Sequence, residues 1–75
     1  MNSEEEILSR LLSSEVKGEL LALFHRNPGL IDTMNGVAHR IGRTANSIEA
    51  EVKDLGELGV LKTKQIGRFQ VVLLD

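Results

Sequence analysis

The chain has 75 residues, 41% apolar and 27% charged, which supports one domain with a packed core and excludes a self-repelling disordered chain. It has no cysteine, no Trp and no Tyr, which excludes disulfides and thiolate metal sites and removes most stacking residues of single-strand nucleic-acid binders. The formal charge of −2 argues against strong non-specific polyanion binding, but it is segmented: −3 over 1–15, +2 over 16–43, −3 over 44–59 and +2 over 60–75, a pattern that points to a binding face.

Ser3 and Glu6 have capping-box spacing, and Ile7, Leu8, Leu11 and Leu12 recur as a helical stripe. A short helix is expected over about 3–12, an N-terminal extension (1–13) to a domain spanning 14–75. Ser13 and Ser14 interrupt it and can cap a second helix, whose apolar positions are Val16, Leu20, Leu21, Leu23 and Phe24. Asn27-Pro28-Gly29 ends that helix, because proline disfavours helical backbone at the residue before it. Leu30-Ile31 is a short apolar pair, with a single extended residue expected to pair elsewhere. Asp32 or Thr33 caps a third helix with Met34, Val37, Ala38 and Ile41 on one face, and Gly42 stops it. Thr44 caps the next helix (44–58), with Ile48, Val52, Leu55 and Leu58 as its apolar stripe and Gly59 as its stop. Gly36 and Gly56 fall inside helical patterns, where each costs up to ~1 kcal/mol against alanine. Beyond Gly59 the period shortens. Residues 60–66 and 69–74 are β-tolerant runs around Gly67-Arg68, the signature of a hairpin.

No apolar run approaches the ~20 residues that span a bilayer, and the acidic start is the opposite of a targeting peptide. The expectation is a soluble, reduced, cytoplasmic domain. His25 and His39 lack neighbouring carboxylates at metal spacing, so no metal or other cofactor is expected. No phosphate loop, nucleophile–base pair or isolated carboxylate pair emerges, and no enzyme activity is expected.

Two helices joined by the turn Gly42-Arg43-Thr44 have helix-turn-helix form, and a glycine-bounded hairpin follows at once. On Val37-Ala38-His39-Arg40-Ile41-Gly42-Arg43-Thr44, on Ile48, Val52, Leu55 and Leu58-Gly59-Val60-Leu61, and on Ile66-Gly67-Arg68, residues 15–74 resemble a winged helix-turn-helix domain of the prokaryotic ArsR and MarR regulator kind. The resemblance implies an α+β, mostly α fold: a three-helix core, a C-terminal two-stranded wing and an extra N-terminal helix. It implies a transcriptional regulator bound to double-stranded DNA, with helix 44–58 in the major groove and the 60–74 hairpin on phosphate or the minor groove.

Carried over by position, Thr44, Asn46, Ser47, Ala50 and Lys53 face the groove. Asn46 suits adenine, Ala50 a thymine methyl, and Thr44 or Ser47 base or phosphate. Arg40 and Arg43 flank the turn for phosphate; Lys62, Lys64 and Arg68 arm the wing, and Arg68 at its tip suits a narrow minor groove. Glu49, Glu51, Asp54 and Glu57 make the recognition helix unusually acidic, and carboxylates oppose counterion release. That favours a rival reading, a winged-helix protein-interaction module whose face of Glu49, Asp54 and Glu57 meets a basic partner. Ile7, Leu8, Leu11 and Leu12 need a covering surface, either the domain's own core or the seam of a homodimer.

Overall fold

The computed structural model describes residues 14–75. The expected helix over 3–12, and the dimer seam of Ile7, Leu8, Leu11 and Leu12, lie outside the described residues. The described chain is a small α+β domain of three helices and a three-stranded antiparallel sheet: α1 (Glu15–Arg26), β1 (Asp32–Thr33), α2 (Met34–Arg40), α3 (Ala45–Glu57), β2 (Leu61–Ile66) and β3 (Phe69–Leu74).

Each helix begins at a hydroxyl. Ser14 accepts from the Lys17 amide and Thr33 from the Gly36 amide. At α3, Thr44 Oγ1 accepts from the Ser47 amide while Ser47 Oγ accepts from the Thr44 amide, a reciprocal box with serine where Glu or Gln is usual. The ends of α2 and α3 are built alike. After α2, Arg43 N–H donates to Ala38 O (2.9 Å) and Gly42 N–H to His39 O (3.1 Å), with Gly42 at φ 70°. After α3, Val60 N–H donates to Leu55 O (2.9 Å) and Gly59 N–H to Gly56 O (3.1 Å), with Gly59 at φ 76°. Both are Schellman ends, in which a left-handed glycine lets two amides satisfy orphan helix carbonyls. They set the angle at which α3 leaves α2 and β2 leaves α3.

The sheet order is β1-β3-β2, so β3 is central and β2 is an edge. Gly67 sits first in the two-residue hairpin turn at φ 60°, where a type II′ turn requires glycine. Beside the two-stranded hairpin a third strand forms, and the pairing expected at Leu30-Ile31 falls instead on Asp32–Thr33, pairing Asp32 with Val72 and Thr33 with Val71. The reason is double use of Thr33: its backbone pairs with β3 while its hydroxyl caps α2, so no residue separates strand from helix.

Paired residues of adjacent strands share a face. Leu61, Val72 and Leu74 therefore face the helices, and Lys62, Lys64, Ile66, Phe69, Val71 and Leu73 face away. The core lies between the helices and the first of these faces, with Leu20, Phe24, Val37, Ile48, Val52, Leu55, Leu61 and Val72 fully buried. Burying a side chain of this size stabilises by about 1.5–3 kcal/mol. Gly36 has a packing reason: a Cβ there would run into the Asp32 carboxyl group. Gly56 has none, since its nearest neighbour would be the Leu61 carbonyl oxygen at 3.7 Å, an ordinary contact. No described helix is long and apolar enough to cross a membrane.

Candidate nucleic-acid interface

The exposed side of α3 follows from its buried one. Ile48, Val52 and Leu55 face the core, so Asn46, Glu49, Ala50, Lys53 and Glu57 share the open side. This side and the hairpin form a groove. Lys53, Glu57, Lys62, Thr63 and Asp75 line one part of it with Val52 and Leu61, and Met34, Glu49 and Gln70 continue it toward the start of α2. Sequence patterning alone does not single out Thr63 and Gln70. Their signal is parity: they share the face of Leu61 and Val72 but extend past the helices that cover those residues.

Of the ten residues expected at DNA, the structure gathers some and diverts others. Asn46, Ala50 and Lys53 lie together on the exposed side of α3, and Lys53 and Lys62 both border the groove between α3 and β2, with Glu57 and Asp75. Lys64 is exposed on β2 and Arg68 in the hairpin turn. Lys53, Lys62, Lys64 and Arg68 have no ion-pair partner among the described residues. Thr44 and Ser47 are exposed, but their hydroxyls are engaged in the cap; Ser47 Oγ also donates to Thr44 O at 2.7 Å.

The two turn arginines are engaged within the domain. Arg43 holds Glu19 in a fork, with Nη2 to Oε1 at 2.6 Å and Nε to Oε2 at 2.9 Å, and Glu15 stands 3.9 Å away. Arg43 thus ties the turn back to α1. Its hydrogen bonds hold the Glu19 carboxyl below the usual glutamate range, and the same contact raises the proton affinity of the guanidinium. Arg40 Nε donates to Asp32 Oδ2 at 3.1 Å, and Asp32 Oδ1 accepts from the Thr33 amide at 2.8 Å. The Arg40 bond, then the Thr33 bond, lowers the Asp32 carboxyl below the usual aspartate range. Glu19 and Asp32 escape sequence reading because their partners lie 24 and 8 residues away, beyond any helical spacing.

Asp54 is likewise diverted from the acidic side of α3. Its carboxylate meets Lys17 Nζ of α1 at 2.5 Å, with the lysine side chain 8% exposed. His39 is exposed, and no cluster of His, Cys, Asp and Glu suited to a metal ion occurs among the described residues. No protein-family model, curated protein or solved structure matches this chain.

Proposed function

We propose that the chain is a winged helix-turn-helix regulator that binds duplex DNA, with α3 in the major groove and the β2–β3 hairpin as its wing. The observation that carries this reading is the set of exposed cations on α3 and the hairpin, Lys53, Lys62, Lys64 and Arg68, none with an ion-pair partner among the described residues. Cations that contact phosphate release counterions, and this term supplies much of duplex affinity. Asn46 and Ala50, on the same side of α3 as Lys53, are of the types that read adenine and the thymine methyl. The helix–turn–helix order of α2 and α3 and the sheet order β1-β3-β2 support the same reading. Arg40 and Arg43 then serve as scaffold for the turn, and Thr44 and Ser47 chiefly as the cap of α3.

The test is fluorescence anisotropy of a labelled mixed-sequence duplex over a salt series. Salt-sensitive association is expected, and Lys62→Ala or Arg68→Ala, each removing one cation from phosphate, should reduce the salt slope by ~0.9. No association at low ionic strength overturns the reading.

One observation favours the rival, a module that binds a basic protein. Glu49 and Glu57 share the open side of α3, while the turn cations are already neutralised by Asp32 and Glu19. Under this reading the duplex gives no signal, and a lysine-rich peptide shifts amide resonances around Glu49 and Glu57.

A further inference from the structure

The tip of the hairpin is at once apolar and cationic. Among the described residues the large apolar side chains left open are Ile31, Ile66 and Phe69, at 58%, 57% and 60% exposure. Ile31 precedes β1, which pairs with β3 at Val71 and Val72, away from the turn. Ile66 and Phe69 are cross-strand partners that flank Gly67-Arg68, so they stand side by side at the tip. Neither packs against the core. The chain has two Phe and neither Trp nor Tyr; Phe24 is core, which leaves Phe69 as its exposed aromatic side chain. The charged residues from Leu61 to Leu74 are all cationic: Lys62, Lys64 and Arg68. Lys64 shares the face of Ile66 and Phe69, and Arg68 lies in the turn between them. A second copy seated on this tip would set these cations against their like. Stacked bases walled by phosphates offer the reverse, an apolar interior inside a polyanion.

We propose that the hairpin tip is a minor-groove wedge: Phe69, backed by Ile66, enters a base step and bends the duplex while Arg68 lies along the groove. The proposal rests on the duplex-binding reading and adds to it how the DNA is deformed and which steps are preferred. Adjacent strands lie ~4.8 Å apart before side chains are counted, and an unperturbed minor groove is ~6 Å wide. The Ile66–Phe69 pair therefore enters only if the groove opens, which apolar wedges achieve by unstacking a step and kinking the duplex toward the major groove. The kink turns DNA around the protein, toward the cations of β2. Pyrimidine–purine steps, TA among them, unstack most readily, so the wedge selects them. Arg68 acting by charge alone would select the opposite, a stiff A-tract with a narrow groove.

Two duplexes of identical composition, one centred on TTTAAA and one on AAATTT, separate these cases by fluorescence anisotropy. The wedge binds TTTAAA several-fold more tightly. 2-Aminopurine in place of the adenine of the TA step, whose emission rises when it leaves the stack, brightens on binding. Energy transfer between dyes at the two duplex ends rises as they approach. Phe69→Thr and Ile66→Thr, at exposed strand positions that threonine suits, keep the salt slope of binding. Phe69→Thr loses the brightening, the bend and the step preference, and Ile66→Thr weakens all three. Association without brightening or bending, a preference for AAATTT, or wild-type brightening in Phe69→Thr overturns the wedge and leaves duplex binding standing. Absence of association with either duplex overturns both. Self-association that Phe69→Thr abolishes while DNA bending is unchanged assigns the pair to a contact between copies and overturns the wedge.

Discussion

Arg43 and Glu19, 24 residues apart, are joined by a two-nitrogen fork that fixes the turn between α2 and α3 to the flank of α1. The turn is therefore held from below, by a contact with the first helix, as well as by its glycine. A guanidinium so engaged must break a charge-assisted contact before it reaches a phosphate.

The expected outcome for Arg43→Ala is a stability defect without an electrostatic one. Thermal unfolding shifts down, while the salt slope of duplex binding, measured under conditions where the variant is folded, stays at the wild-type value. Arg68→Ala gives the reverse: an unchanged melting temperature and a slope lower by ~0.9. A slope reduction in Arg43→Ala as large as that in Arg68→Ala would return Arg43 to the phosphate-contacting set.

The same contacts make stability depend on pH in the acid range. Glu19 and Asp32 have folded values below their unfolded ones, because Arg43 and Arg40 hydrogen-bond to the ionised forms. A depressed carboxyl contributes stability that is full above its unfolded value and is lost as pH falls through the folded one. The melting temperature should therefore hold down to roughly pH 5 and fall below about pH 4, where ordinary carboxylates titrate. Both carboxylates are partly open to solvent, so the loss is modest. Glu19→Gln/Asp32→Asn should start lower at neutral pH and fall less steeply in acid. Parallel melting curves for the two proteins across pH 2–7 would refute the assignment.

Two helix glycines should respond differently to alanine. Gly18 lies within α1 with nothing within 4 Å of where a Cβ would stand. Gly18→Ala should add about 1 kcal/mol, the difference in helix propensity, and raise the melting temperature by about 4–8 °C. At Gly36 the new methyl would displace the Asp32 carboxylate from Arg40 and the Thr33 amide. Gly36→Ala should leave stability within about 0.5 kcal/mol of wild type, because weakening these part-exposed hydrogen bonds offsets the propensity gain. Differential scanning calorimetry of the two variants checks both.

The local grammar of this fold is legible in the sequence. Ser14, Thr33 and Thr44 announce helix starts, Gly42 and Gly59 announce stops, and Gly67 announces the hairpin, because each meets a need of its immediate neighbours. The third strand is harder to place, because two residues carry no period and the capping role of Thr33 conceals its pairing. The candidate site is legible only in part. Exposure of Asn46, Ala50 and Lys53 follows from the stripe of Ile48, Val52 and Leu55, whereas the capture of Arg43 by Glu19 and of Asp54 by Lys17 depends on how α1 lies across α3. Net charge along a segment says nothing about which carboxylates a neighbouring element already engages.

The Lys17–Asp54 pair carries the last prediction, because it joins the same two helices through a nearly buried ammonium. Removing one partner of a buried pair leaves the other charge to bear its desolvation, whereas replacing the lysine with an apolar side chain of similar shape removes the cost along with the attraction. Asp54→Ala should therefore destabilise by about 2 kcal/mol, below the usual range for fully buried pairs since the aspartate side chain is 23% exposed. Lys17→Met should lie within about 1 kcal/mol of wild type, since the lysine side chain is already only 8% exposed. In the double variant Lys17→Met/Asp54→Ala most of the Asp54→Ala penalty should disappear. Urea unfolding of the four proteins closes the cycle, and additive effects of the two substitutions would show that the pair contributes no coupling between the helices.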